Sequence, residues 1–419
     1  MPDGALIRHA AGSGSGCDEA RALMAPGEAR DRLLAAAQPV AGVETIALSA
    51  ALGRIVAAPP VAAFDLPPFD QSAMDGYVLA GCDLRPGATP QVMRLVTAGA
   101  APGASLGAGQ AIRVLTGGAL PDGAAAVVME EHAEVAAGHV RALRVPRVGE
   151  NIRRRGEDVA RGEHLTQPGT RLDARHIALL AAAGVTEVEV PRRVRVAVIS
   201  NGNELGTAVQ DSNRPMLLAL LARPEIACTD LGVLPDDSGA IAAALARAAG
   251  THDLILATGG VSGSDADHLP GAILEAGGAV ERLKLALKPG KPLAYGRIGG
   301  ALCLCLPGNP LAALVSMLVF GRPLLARLAG MSPGESRPCA AIAGEGFERA
   351  PGREEYLPAR IIGHDRLGLP IVERGGRGGS ARLKPLSRAD GLLWLPADCA
   401  SVAPGDALRF HQFSTAFGL

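Results

Sequence analysis

The sequence predicts a multidomain protein of the α/β plus β class. It would hold a three-layer α/β domain, a β-rich domain inserted ahead of it, a helical linker domain and a small C-terminal β-barrel-like domain. Three observations carry this expectation. The length, 419 residues, exceeds one ordinary domain. Between about Val194 and Ala329, strand-like apolar runs alternate with helix-like runs, which predicts a parallel sheet covered by helices. On either side of that region, short apolar runs are broken by turns rich in Gly and Pro, of which the chain has 54 and 31.

Taken in order, residues 1–25 lack an apolar core and read as a disordered lead-in, not a signal peptide. A helix is expected from Pro26, with Arg30, Leu33, Leu34 and Ala37 at helical spacing. A short amphipathic stretch follows near Ser49 to Val56, before breaks at Pro59-Pro60 and Pro67-Pro68. Strands are expected near residues 91–96, 110–115, 126–129 and 140–145, then a helix over 173–183 and a strand over 187–190. In the α/β region, strands at 194–200, 229–234, 253–257 and 301–306 alternate with helices at 215–222, 238–249, 269–276 and 311–328. Short strands return at 340–342, 355–362, 368–372, 391–395 and 407–410. The corresponding division is a linker domain of 26–60 and 162–191, a β-rich domain of 61–161, an α/β domain of 192–332 and a terminal β domain of 333–419.

Charge and cysteine content exclude several functions. The net charge is −1, so no global positive field exists to hold nucleic acid or an anionic membrane. Seven cysteines without CxxC or Cys/His spacing predict reduced cytoplasmic thiols, not a zinc site or a disulfide framework. The longest uncharged stretch, Ile298 to Gly321, is interrupted at Pro307-Gly308-Asn309-Pro310. Its later part, about a dozen residues, reads as too short to span a bilayer.

The chemistry is expected at the carboxyl edge of the α/β sheet, where ligands of such sheets sit. Three strand ends there carry Gly-containing turns: Ser200–Glu204, Thr258–Ser264 and Leu306–Pro310. Such turns let the backbone approach a ligand and offer N–H groups to phosphate. Neither GxxxxGK[ST] nor GxGxxG occurs. Asp236 and Asp267 stand beside these turns as candidate Mg²⁺ ligands, and Asp237 as a helix cap. Lysine occurs at only four positions, and Lys284, Lys288 and Lys291 cluster in one segment. If that segment is extended, Lys284 and Lys288 share a face opposite Leu285 and Leu287, and a Pro-Gly turn returns Lys291, forming a cationic clamp for an oxyanion. In the β-rich region the polar segment Asp70–Tyr77, the turn Thr116-Gly117-Gly118 and the run Asn151–Asp158, with Arg153-Arg154-Arg155, also stand out. The last of these reads either as a solvated charge run or as an anion site.

Together these segments, in this order, resemble the molybdopterin molybdenumtransferase family, the MoeA type also found as the E domain of gephyrin. The resemblance rests on Pro68–Tyr77, Arg113–Gly117, Asn151–Asp158, Gly259 to Asp267, residues 284–292 and Leu306–Pro310. It implies an elongated four-domain chain that forms a homodimer, its α/β domain binding molybdopterin and its pocket completed by the partner subunit's first β domain. It implies an enzyme that inserts molybdate into adenylylated molybdopterin, releases AMP and yields molybdenum cofactor with Mg²⁺ assisting. Transient contact with the molybdopterin adenylyltransferase and with cofactor-accepting enzymes follows from that role. By position, the resemblance assigns site roles to Asp75, Thr116, Arg153 and Asp158 in the first β domain. In the α/β domain it assigns them to Glu204, Asp236, Asp267, Lys284, Lys288, Pro307 and Pro310, and in the last domain to Ser380, while Gly259, Gly260, Ser262 and Gly308 of the Gly turns are candidate substrate-binding residues beside them.

Three departures mark this chain. Asn201-Gly202-Asn203-Glu204 stands where the family has Thr-Gly-Asp-Glu, His268 replaces a tyrosine, and Gly263-Ser264 replaces Val-Gly. They leave two alternatives to efficient molybdenum insertion: a scaffold that binds molybdopterin without turnover, or a tungstate-preferring homologue. An adenylyltransferase built on the same α/β domain is disfavoured by the added β domains and by Asp70–Tyr77.

Overall fold

The computed structural model describes residues 23–97, 99, 105–261, 268–331, 338–376 and 381–413. Most of the expected lead-in lies outside them. Met24, placed in that lead-in by the sequence, instead bridges Leu285 and donates its N–H to the Lys284 carbonyl at 2.8 Å. The helix Pro26–Ala35 follows, burying Ala29 and Leu33.

The α/β region is built on a six-stranded sheet in the order Ile226–Leu234, Val194–Asn201, Leu254–Thr258, Ala301–Leu306, Pro292–Ile298, Ala279–Lys284. The first four strands are parallel, and the last two join antiparallel. This corrects the expectation of a wholly parallel sheet. The central strands are apolar throughout and buried on both faces, as parallel strands require. The Ala279 strand carries Glu281, Arg282 and Lys284 and lies at the edge, where one face meets water; those charges hid it from a search for apolar runs.

Side-chain alternation splits the sheet into two cores. Val196, Val198, Leu254, Leu256, Leu302 and Leu304 pack on one face under the helix Asn213–Leu221 and the run Pro310–Leu328. Ala197, Ile199, Ile255, Cys303 and Cys305 pack on the other under the helices Ser238–Ala249 and His268–Glu275. Burial pushes the Cys303 thiol up to about 12, so it carries no thiolate for chemistry. The run Pro310–Leu328 comprises 19 residues and is long and apolar enough to cross a membrane, contrary to the expectation that it is too short. It is a core element: a helix to Ser316, a π-helical turn over Met317–Gly321 and a helix from Arg322, with 67% of its apolar window buried.

Ahead of this unit, a six-stranded sheet in the β-rich region centres on Gly76–Ala80 and Gln110–Val114, and a small pair joins Gln71–Ser72 to Ile152–Arg153. The amphipathic stretch near Ser49 to Val56 forms only a 3-10 turn, Leu48–Ala50, and a bridge from Ile55 to Arg171. The preceding strand, Val43–Ala47, pairs with Glu187–Pro191. It was not legible because most of its residues are exposed. At the C-terminal end, Glu354–His364, Pro370–Arg374, Cys339–Ala343, Ala407–Gln412 and Gly391–Leu395 pair in that order, and the last pairs back on the first. That closes a five-stranded barrel around Phe410. The short strand Leu287–Lys288 adds to its rim in parallel with Glu354 and Glu355.

Candidate active site

Each parallel strand ends at the same edge, and the turns that follow pack onto one another. The Gly259 N–H donates to the Leu306 carbonyl at 3.2 Å. Gly259 has φ +95°, and a Cβ there would lie 2.6 Å from the Asn201 carbonyl oxygen, so glycine is required by both conformation and space. Gly308 comes up against the Cα of Gly259, at 3.7 Å from where its Cβ would be. Asn213, buried at the start of its helix, ties the edge together. Its Nδ2 donates to the Thr258 hydroxyl at 2.8 Å and to the Gly308 carbonyl at 2.7 Å. Ser200 Oγ, Asn201 Oδ1 and Asn213 Oδ1 are buried along this edge without a hydrogen-bond partner among the described residues. Buried polar atoms are ordinarily paired, so these mark capacity for a ligand or water.

Asp236 is held beside the first turn by a reciprocal pair. The Asn203 N–H donates to Asp236 Oδ2, and the Asp236 N–H donates to Asn203 Oδ1, both at 3.0 Å. Asn201 Nδ2 adds a contact to Asp236 Oδ1 at 3.4 Å. The amide of Asn203 therefore keeps the acceptor that a carboxylate would supply, and spares Asp236 a like-charged neighbour. The Glu204 carboxylate folds back over Gly202, 2.7 Å from where a Cβ on that glycine would stand. Asp237 caps the Ser238 helix, accepting from the Ala240 N–H at 2.7 Å, as expected. Pro307 ends the last strand's apolar run, and Pro310 opens the core helix at a position where its missing N–H is harmless. Ser262, Asp267 and Ser380 lie outside the described residues.

The lysine segment alternates as its pattern predicts. Leu285 and Leu287 are fully buried, whereas Lys284, Lys288 and Lys291 are exposed. The turn is closed by the Leu285 N–H donating to the Lys291 carbonyl at 2.7 Å. Lys288 is not a free cation: its Nζ contacts Glu355 Oε1 at 2.8 Å.

In the β-rich region, Asp75 and Thr116 meet. Asp75 Oδ1 accepts from the Thr116 N–H at 2.6 Å and from its hydroxyl at 2.8 Å. These bonds, the backbone one foremost, hold the Asp75 carboxyl below its ordinary range. The arginine run is an ion-pair clip. Arg153 pairs with Glu157, Arg154 with Asp70 and Arg155 with Asp65, and all three arginine side chains remain solvent-exposed, so the run is solvated and also fastens the segment. Arg153 keeps its terminal guanidinium nitrogens for other work, since only its Nε meets Glu157. Asp158 is exposed nearby, its N–H bound to the Leu66 carbonyl. Among the described residues, no hydrogen bond or ion pair joins residues 66–159 to the loops of the sheet edge.

A cavity of 1330 Å³ between the Pro26 helix, the core helix and the barrel contains none of the expected site residues. Asn213 and Glu355 were missed in the sequence, and Asn201 was noted only as part of its turn. Asn213 carried a weak signal, an amide ahead of an apolar helical run.

Three consecutive family models match the chain: MoeA N-terminal region (domain I and II) over residues 24–184, probable molybdopterin binding domain over 197–327, and MoeA C-terminal region (domain IV) over 340–413. A protein of Haemophilus influenzae named molybdopterin molybdenumtransferase is 32% identical over 401 residues, covering 93% of this chain and 99% of the relative. The chain belongs to the molybdopterin molybdenumtransferase family. A second relative, molybdopterin molybdenumtransferase 2 of Mycobacterium tuberculosis, is 36% identical over 385 residues, 87% of this chain and 94% of its own. The crystal structure of a molybdopterin biosynthesis moeA protein from Pyrococcus horikoshii superposes with a TM-score of 0.80 at 27% identity, covering 93% of this chain and all of that one. The sheet edge falls within the segment matched to the molybdopterin-binding model.

Proposed function

We propose that this family member is a working molybdopterin molybdenumtransferase: it inserts molybdate into adenylylated molybdopterin, releases AMP and yields molybdenum cofactor. The observation that carries the reading is the sheet edge, where three turns converge and leave buried polar atoms without partners among the described residues. Gly259, Gly260 and Gly308 would let the backbone close on the pterin phosphate, with Pro307 and Pro310 fixing the third turn. Molybdate is a dianion and the substrate pyrophosphate adds charge; Lys284, Lys288 and Arg153 would hold these groups electrostatically. Asp75, Thr116 and Asp158 would orient the substrate from the β-rich side, and Glu204, Ser262 and Ser380 would complete the polar lining.

Asp236, together with Asp267, would hold Mg²⁺. Mg²⁺ commonly takes one or two carboxylates plus phosphate oxygens and water. The Asp236 carboxylate suits that mode, since it keeps lone pairs beyond those used by Asn203 and Asn201. The cation would neutralise pyrophosphate charge during release of AMP.

The domain division given above is the working map. A homodimer in which the partner's β-rich region completes the pocket is the arrangement the family resemblance implies. A cytoplasmic setting fits the thiol content, with transient contact to the adenylyltransferase and to enzymes that accept the cofactor. Asn203, although a departure, still holds Asp236 by a reciprocal pair of hydrogen bonds, which favours turnover over the non-catalytic scaffold. The test is a turnover assay of purified protein with adenylylated molybdopterin, Mg²⁺ and either molybdate or tungstate, following AMP and cofactor together. Coupled AMP release and cofactor formation with molybdate is expected. Release with tungstate alone would change the metal, and ligand binding without AMP release would refute the enzyme.

A further inference from the structure

Glu355 is a buried carboxylate, 4% exposed, at the start of a barrel strand. It does not serve the barrel's apolar core. One oxygen accepts from Lys288 Nζ of the α/β region at 2.8 Å, and the other from Arg349 Nε at 2.8 Å. Arg349 is itself immobilised. Its terminal nitrogens donate to the carbonyls of Pro396 at 2.8 Å, Cys399 at 2.7 Å and Arg353. Backbone pairing fixes the register, with Lys288 directly beside Glu355.

The charge arithmetic of this triad is unusual for an ion pair. A lysine matched to a lone carboxylate is neutralised. Here Arg349 already balances Glu355, so the three groups together keep one positive charge, carried at its exposed end by Lys288. A cavity of 230 Å³ adjoins it, with Lys288, Arg349, Arg374 and Arg382 against Glu348 and Glu355 among its lining residues. Lys288 thus has a fixed ammonium, N–H donors to spare and a cationic setting, the three properties an oxyanion clamp needs.

We infer that Glu355 is a positioning residue for the transfer: it fixes the Lys288 ammonium on the wall of the cavity that Leu311, next to Pro310 of the third turn, also lines, while Arg349 supplies the charge that keeps the pair attractive to an anion. The barrel thereby contributes to the reaction through a side chain that touches no substrate. The inference rests on the reading of Lys288 as an anion clamp.

The test is a double-mutant cycle in the AMP-release assay, with molybdate and adenylylated molybdopterin varied in turn. Wild type, Glu355→Gln, Lys288→Ala and the double variant are compared, each checked for folding by its thermal midpoint. Glu355→Gln is preferred to Glu355→Ala because it preserves volume and one acceptor beside the buried Arg349. Glu355→Gln is expected to raise KM about ten-fold with a smaller change in kcat, through misplacement of the ammonium. Lys288→Ala should lose more, and the double variant no more than Lys288→Ala alone. An equal penalty from Glu355→Gln on both backgrounds would make Glu355 merely structural and overturn the inference while leaving Lys288 in the site. An unchanged KM in Glu355→Gln would also overturn it. A Lys288→Ala enzyme with wild-type kinetics would remove the reading of Lys288 itself, and the inference with it.

Discussion

The two regions that carry the proposed site residues satisfy their polar groups to different degrees. In the β-rich region every arginine of the 153–155 run faces a carboxylate, and Asp75 takes two hydrogen bonds from Thr116. At the sheet edge, Ser200, Asn201 and Asn213 keep buried oxygens with no partner among the described residues. The first arrangement is nearly complete, with Arg113 Nε its one buried side-chain polar atom unpaired among the described residues, and fits a preset template; the second keeps three such atoms and gains most from a ligand. Affinity is therefore expected to reside mainly at the edge, with orientation supplied by the β-rich side.

The largest effect that would break or sharpen this contrast is expected at Asp236. Asp236→Asn preserves the pairing with Asn203 and removes the charge, so single-turnover AMP release should fall at least about a hundred-fold with an unchanged thermal midpoint. Next comes Gly259→Ala, which adds a Cβ 2.6 Å from the Asn201 carbonyl oxygen in a left-handed backbone. Chemical denaturation should report a loss of about 1–3 kcal/mol, together with weakened substrate binding. Asn213→Ala removes the two donors that tie the second and third turns. It should lower stability by about 1–3 kcal/mol and raise KM more than it lowers kcat.

A smaller, pH-dependent effect is expected at Thr116→Val. The Asp75 carboxyl lies below its ordinary value because Thr116 bonds its charged form. The resulting stabilisation is present above the ordinary carboxylate value and lost as pH falls through the lowered one. Removing the hydroxyl should move the Asp75 titration, followed by carboxyl NMR, upward while leaving the backbone bond in place. Arg154→Ala should do least. Its pair with Asp70 is solvent-exposed, and the change in stability should stay within about 1 kcal/mol and shrink in salt.

The edge was legible because its chemistry is local: a strand, a Gly turn and a following helix occupy adjacent residues. Leu285 and Leu287 likewise announced their burial by alternation with the lysines. The Ala279 strand was not legible, since an edge strand carries charge and loses the apolar signature, and the Pro292 strand, one in from that edge, opens on a proline and is broken by Gly296 and Arg297. Nor was the fate of Lys288, whose partner Glu355 belongs to a strand of the terminal barrel. The partners of Arg154 and Arg155 were not legible either, because Asp70 and Asp65 precede the run by a whole sheet. That the two polar regions serve one reaction came from the family resemblance, not from spacing.

The most direct test of that last point is subunit complementation. Asp75→Asn and Asp236→Asn proteins, each nearly inactive alone, would be unfolded together, refolded as a mixture and assayed for AMP release. If the two regions build one site across a dimer, mixed dimers hold one intact site each, and activity should return to about a quarter of the wild-type rate. No recovery, in a mixture shown to contain mixed dimers, would mean that the two regions act within a single chain or not together at all.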